Sequence, residues 1–270
     1  MKNTILIILS LCSLIVFSQD NFKLYYEETD DGFVILADND EYSPVSAKMN
    51  FTLENLKSSN GNNKVFVVPA MTKRHIITNL SVIDRKKRVK LGYESVYNHG
   101  DHNQKEYDKD FNYYLPYGKG NTFWLSQGYN GATSHKNENA LDFKMPMGTK
   151  IYAARGGVVI DVEESNSKSC TTPECAKLNN FILVYHSDGT FAEYTHIQKG
   201  GAKVTVGDQV KIGQLIGYSG DVGWATGPHL HFIVFLQELK DRVTLKTKFL
   251  IDTGKKAILL SEKEQYTRAY

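Results

Sequence analysis

Cysteine is scarce, with 3 in 270 residues, at positions 12, 170 and 175. No second pair stands beside Cys170 and Cys175, so a four-cysteine zinc knuckle is excluded. Net charge is equally scarce. Lys and Arg total 32 against 30 Asp and Glu, a formal +2 that gives no support to nucleic acid as a partner. The apolar run at 5–17 falls short of the ~20 residues of a membrane span. No G-x-G-x-x-G follows a strand-like run and there is no phosphate loop, so nucleotide chemistry has no motif.

What is present describes a folded, exported protein. The chain is 41% hydrophobic and 23% charged, in the range of globular domains, and long enough for one large domain or two ordinary ones. Lys2, the apolar core at 5–17 and the polar Ser18-Gln19-Asp20 have the layout of a secretory signal peptide over 1–18. The competing reading is an N-terminal anchor helix. Leu11 before Cys12 argues against a lipoprotein signal, which needs a small residue there. Cys170 and Cys175, left as an even pair in an exported chain, read as a disulfide closing a small surface loop.

Residues 19–110 predict an antiparallel β-sandwich. Short runs rich in β-branched and aromatic residues, such as Phe22–Tyr26, Phe33–Ala37, Ala47–Leu53 and Lys64–Val68, alternate with turn clusters such as Asp30-Asp31-Gly32. No long helical periodicity and no catalytic constellation occur here. His99-Gly100-Asp101-His102, flanked by asparagines, reads as a polar loop. An aromatic, Gly-bearing linker follows at 108–121. Residues 111–237 again read as strands, and Asp188-Gly189 between apolar runs is a hairpin signal. The glycine-punctuated stretch 207–217 reads as two short strands around a corner. Residues 238–270 read as an extension packing on the domains. The fold class expected is all-β.

The chemistry concentrates in His229-Leu230-His231. Residues i and i+2 of a strand share one face, so two imidazoles project side by side. One can bind a metal while the other handles a proton. With His135, Asp142 and His196 upstream, this is the inventory of an open catalytic zinc site. His186, beside the hairpin turn, reads as a structural, hydrogen-bonded histidine. Tyr129, Trp124 and Trp224 are equally compatible with a substrate groove and with the core.

Over about residues 120–236 these motifs resemble the lysostaphin-type, LytM-like zinc endopeptidases of bacterial cell walls. The resemblance rests on His135 with Asp142, Tyr194-Thr195-His196-Ile197 and Gly227-Pro228-His229-Leu230-His231-Phe232, reinforced by Gly148-Thr149, by residues 153–159 and by Gly207-Asp208-Gln209-Val210. It implies a lysostaphin-like antiparallel β-sheet catalytic domain. It also implies one Zn2+ per chain held by His135, Asp142 and His231, with His196 and His229 as metal-free catalytic imidazoles. His229 is the expected base, since it shares a strand face with a ligand. The chain departs from the family's H-x-x-x-D spacing: six residues separate His135 from Asp142, making that loop three longer. The implied substrate is the peptide stems and cross-links of peptidoglycan, met in the periplasm or outside the cell. Two other readings share the fold: an inactive LytM-like binding or activator module, and a metalloprotease of extracellular proteins. An upstream module that blocked the cleft would make a chain of residues 119–270 more active than the whole.

Overall fold

The computed structural model describes residues 21–270. The leader expected at 1–18 lies outside the described residues. The chain divides into two compact units. One takes the chain up to Asn103 together with Gln237–Asp241, and the other takes Gln104–Leu236 and Arg242–Tyr270. No helix among the described residues is long and apolar enough to cross a membrane.

The first unit holds β1 (Phe22–Thr29), β2 (Gly32–Asn39), β3 (Val45–Glu54), β4 (Leu56–Ser58), β5 (Lys64–Val68), β6 (Thr72–Val82) and β7 (Lys90–His99). They form a four-stranded sheet, β1-β2-β6-β4, and a three-stranded sheet, β5-β3-β7, both antiparallel. Phe33, Ile35, Ile77 and Leu80 from the first sheet share one core with Val45, Ala47, Met49 and Val68 from the second. Each large aliphatic side chain buried there contributes about 1.5–3 kcal/mol. This is the antiparallel sandwich the apolar runs predict. Sequence reading misses β6 and β7, because they bury only part of their length and carry Lys, Arg, Asn and Glu among their apolar residues.

The second unit continues with β8 (Asn112–Tyr113), β9 (Thr122–Gln127), β10 (Ala140–Lys144), β11 (Lys150–Tyr152), β12 (Gly157–Glu163) and β13 (Ser169–Cys170). A 3-10 turn at Pro173–Leu178 precedes β14 (Phe181–Tyr185), β15 (Phe191–Thr195), β16 (Gln209–Val210), β17 (Leu215–Tyr218) and β18 (Gly223–Trp224). Then come β19 (Leu230–Gln237), β20 (Arg242–Thr244), β21 (Lys248–Ile251), β22 (Lys256–Leu259) and β23 (Gln265–Thr267). The main sheet runs β16-β12-β14-β15-β19-β10-β9-β23, with β20 paired to β19. The hairpin predicted at Asp188-Gly189 joins β14 to β15, with Tyr185 opposite Phe191 and Gly189 at φ 86°, a conformation that costs a glycine little. The short strands predicted at 207–217 are present but do not pair with each other: β16 pairs with β12 and β17 with β11.

This sheet is covered on both faces, which explains why β19 reads as an almost unbroken apolar run. Leu230, Phe232, Val234 and Leu236 enter one core with Leu141, Phe143 and Tyr194. Ile233 and Phe235 enter a second core with Ala140, Val158, Ile160 and Phe191. The segment expected as a linker belongs to the first of these cores. Tyr113, Leu115 and Tyr117 are buried in it, and the Tyr117 hydroxyl donates to the Tyr266 carbonyl at 2.7 Å. From Arg242 on, the C-terminal stretch is likewise part of this unit: β20 and β23 extend the main sheet, and β21 pairs with β8 and β22.

Candidate active site

On β10 and β19, Ala140 faces Ile233 and Asp142 faces His231. The alternation that places Ala140 and Ile233 in the second core therefore carries Asp142 and His231 onto the same face, where apolar side chains give way to polar ones. His231 Nδ1 lies 3.0 Å from Asp142 Oδ1.

His135 arrives from the loop between β9 and β10 and is buried. Its Nε2 stands 3.2 Å from Asp142 Oδ1 and 3.2 Å from His231 Nδ1. The longer loop is taken up by a turn of its own. Asn130 N donates to the Glu138 carbonyl and Glu138 N to the His135 carbonyl, both at 2.8 Å. Asn139 is tied to β20 by N–H donation to Thr244 Oγ1 and amide donation to the Thr244 carbonyl, each 2.8 Å. Extra loop residues cost little closure entropy when the ends stay in place.

His229 and His196 complete the group. His229 precedes β19 on the same side as His231, with its Nε2 3.7 Å from Asp142 Oδ1. His196 follows β15, and its ring centroid is 4.4 Å from that of His229 and 6.1 Å from that of His231. His196 has φ 67°, a sparsely populated conformation for a residue with a side chain, held by Asn180 and Gly220. All five residues singled out in the sequence thus meet in one place. Sequence reading passes over Gln127, whose side-chain amide donates to Asp142 Oδ2 at 3.0 Å. It carries neither charge nor imidazole, and only the neighbouring Gly128 and Gly131 hint at a special local geometry.

Backbone carbonyls select the histidine tautomers. Nδ1–H of His135 donates to Gly128 O at 3.0 Å, that of His196 to Val222 O at 2.7 Å, and that of His229 to Gly227 O at 2.8 Å. Each neutral ring then presents an Nε2 lone pair. The lone pairs of His135 Nε2 and Asp142 Oδ1 converge beside His231 Nδ1, so either a proton or a cation must sit among them. His135, Asp142 and His231 each offer a ligand atom, all within 4.8 Å of one another, and they are the one such cluster of three among the described residues.

The electrostatics agree. Burial is the largest influence on Asp142 and pushes its carboxyl up, but hydrogen bonds from His135 and His231 and the nearby imidazoles of His231 and His229 outweigh it and hold it well below the usual range. Burial pulls His135 down, and Asp142, through hydrogen bond and charge, leaves it raised. Burial, then the neighbouring His229 and His231, push His196 down to about 3, so it is neutral. His186 is structural, as its sequence context suggests: fully buried, its Nδ1–H donates to Gly156 O at 2.9 Å. Of the three aromatic residues left open, Tyr129 packs against the first core and donates to Thr247 O at 2.8 Å. Trp124 is exposed, and Trp224 donates from its indole to Thr171 O at 3.3 Å. Cys170 and Cys175 form the expected disulfide, with a Cα–Cα distance of 5.9 Å.

Known proteins share this part of the chain. A peptidoglycan DD-endopeptidase, ShyA of Vibrio cholerae, is 35% identical over 94 residues, which is 35% of this chain and 19% of ShyA. The glycyl-glycine endopeptidase ALE-1 of Staphylococcus capitis is 36% identical over 106 residues, 39% of this chain and 25% of ALE-1. This chain therefore spans a quarter or less of the length of these relatives. Among solved structures, the catalytic domain of the antimicrobial peptidase lysostaphin from Staphylococcus simulans is 27% identical, with 46% of this chain and 88% of that one covered and a TM-score of 0.35. Residues 136–242 match the profile of Peptidase family M23.

Proposed function

We propose that this chain is an exported, zinc-dependent endopeptidase that hydrolyses the peptide cross-links of bacterial peptidoglycan. His135, Asp142 and His231 are its metal ligands, and His196 and His229 its catalytic imidazoles. The observation that carries this reading is the convergence of these five side chains, drawn from four separate segments, around one cluster of ligand atoms. Two imidazole nitrogens and one carboxylate oxygen are a donor set suited to zinc, with room for a fourth ligand. Zinc bound there would supply Lewis-acid polarisation and an acidified water.

The chain's own residues manage the protons. His229 Nε2, a lone pair fixed by the Gly227 carbonyl, accepts the proton of the attacking water and passes it to the leaving amine. His196, neutral and pinned by Val222, offers a second Nε2 for the same transfers. Asp142 keeps its charge and so stays available as a ligand. The names of the relatives support a peptidoglycan substrate. The leader-like run at 5–17 and the disulfide support export. An inactive module is disfavoured by the complete ligand set.

The experiment incubates the zinc-loaded protein with isolated cell walls, with and without a chelator. Chelator-sensitive release of free amino groups is expected, and mass spectrometry of the muropeptides names the bond cut. No release under any metal loading removes the enzyme reading. Release from an extracellular protein but not from walls replaces the substrate.

A further inference from the structure

We propose that Gln127 is a positioning residue of the metal centre, one that sets the orientation of Asp142 and the placement of His135 together. The inference rests on the metal reading of His135, Asp142 and His231. Gln127 is buried at the end of β9, directly opposite Asp142, where the β9–β10 register slips by one residue before Phe143 meets Leu125. Irregularities of this kind re-aim side chains beside functional sites.

The amide makes four hydrogen bonds. Its Nε2 donates to Asp142 Oδ2 at 3.0 Å and to Ser134 Oγ at 2.7 Å. Its Oε1 accepts from the backbone N–H of Thr133 at 3.1 Å and of Ser134 at 3.0 Å. Only a carbonyl oxygen can accept from two backbone amides, so the orientation of the group is fixed and its capacity is filled. Two consequences follow. Asp142 Oδ2 is engaged, leaving Oδ1, the atom beside His135 Nε2 and His231 Nδ1, to meet a cation. Residues 133 and 134, which lead straight into His135, are held by the same amide that orients the carboxylate. Gly131 makes room for it: a Cβ there would lie 2.4 Å from Gln127 Cγ.

Zinc competition against a chromogenic chelator on the full chain tests this, with the absorption of bound cobalt(II) reporting ligand geometry. Gln127→Met keeps the length and removes all four hydrogen bonds. It should weaken zinc binding about 10–100-fold, the range found when the partner of a metal ligand is lost, and alter the cobalt spectrum. Affinity within about twofold of the parent, with an unchanged spectrum, overturns the proposal. Gly131→Ala approaches by another route and guards against a Gln127 variant that fails to fold. It should weaken zinc binding in the parent but add almost nothing in a Gln127→Ala background; equal losses in both backgrounds overturn the coupling. Asp142→Ala and His231→Ala separate the two levels. If they leave zinc affinity intact, the metal reading itself fails and Gln127 with it. If they abolish binding while Gln127→Met does not weaken it, only the role of Gln127 fails.

Discussion

The two units use the same material to different ends. Both are antiparallel β structures whose strands bury alternate residues. In the first, ion pairs such as Arg74 with Glu27 and Arg85 with Asp31 lie at the surface, where they are exposed and worth little. In the second, a row of the main sheet that begins with Ala140 and Ile233 ends in Asp142 and His231, and loops deliver three more histidines to it. All-β architecture therefore carries no function by itself. The difference lies in which residue types occupy the last positions of a buried face.

Cutting the chain separates the two units most directly. A chain beginning at Gln104 should fold and retain zinc, because the second unit has its own cores. A chain beginning at Lys119 lacks Tyr113, Leu115 and Tyr117, and deletions of such buried side chains cost roughly 2–5 kcal/mol each. It should show no cooperative melt by circular dichroism. Equal melting of both chains would mean that the segment at 108–118 is dispensable, and would restore the linker reading.

Next in size are the residues that end the buried row. Asp142→Ala or His231→Ala should take the metal content from one zinc to none, by elemental analysis, and abolish wall hydrolysis with it. His229→Ala and His196→Ala separate holding metal from moving protons. Zinc content should stay at one per chain while kcat falls about 10²–10⁴-fold. Loss of zinc from the His229 variant would reassign it as a ligand.

Acid should act on the second unit's site before it acts on either fold. Proton and cation compete for His135 Nε2, and Asp142 leaves that proton held above the ordinary imidazole value of ~6.5. Zinc affinity is therefore full only above that raised value and is lost as pH falls through it, by about tenfold per unit for a single proton. Wall hydrolysis should decline with it; a flat rate from neutral pH to about 5 contradicts imidazole participation. The smallest effect concerns the loop closed by Cys170–Cys175, a sequence separation of 5. Replacing both cysteines by serine should cost about 2 kcal/mol, confined to the loop and to β18 beside it. Trp224 fluorescence should report the change through its contact with Thr171, while the melting of the sandwich stays the same.

Much of the site was legible because its chemistry is spelled in rare residues. His229-Leu230-His231 announces a strand face, and His135, Asp142 and His196 complete a recognisable set even with a loop three residues longer than usual. Gln127 was not legible, since an amide becomes informative only when its four partners surround it. In the fold, β5 was read to the residue because a short apolar run between turn signals has one plausible outcome. β6 and β7 were missed because their polar positions depend on which neighbours cover them.

Residue order by itself determined that this chain forms β domains and which side chains are able to hold a metal, because alternation and ligand chemistry are local properties. Tertiary structure alone decided that Tyr113, Leu115 and Tyr117 of the stretch 108–121 are core, that the C-terminal strands complete the main sheet, and that Gln127 stands between Asp142 and the His135 loop. The first two outcomes depend on contacts across more than a hundred residues of chain and the third on the register of β9 against β10, and no local pattern encodes them.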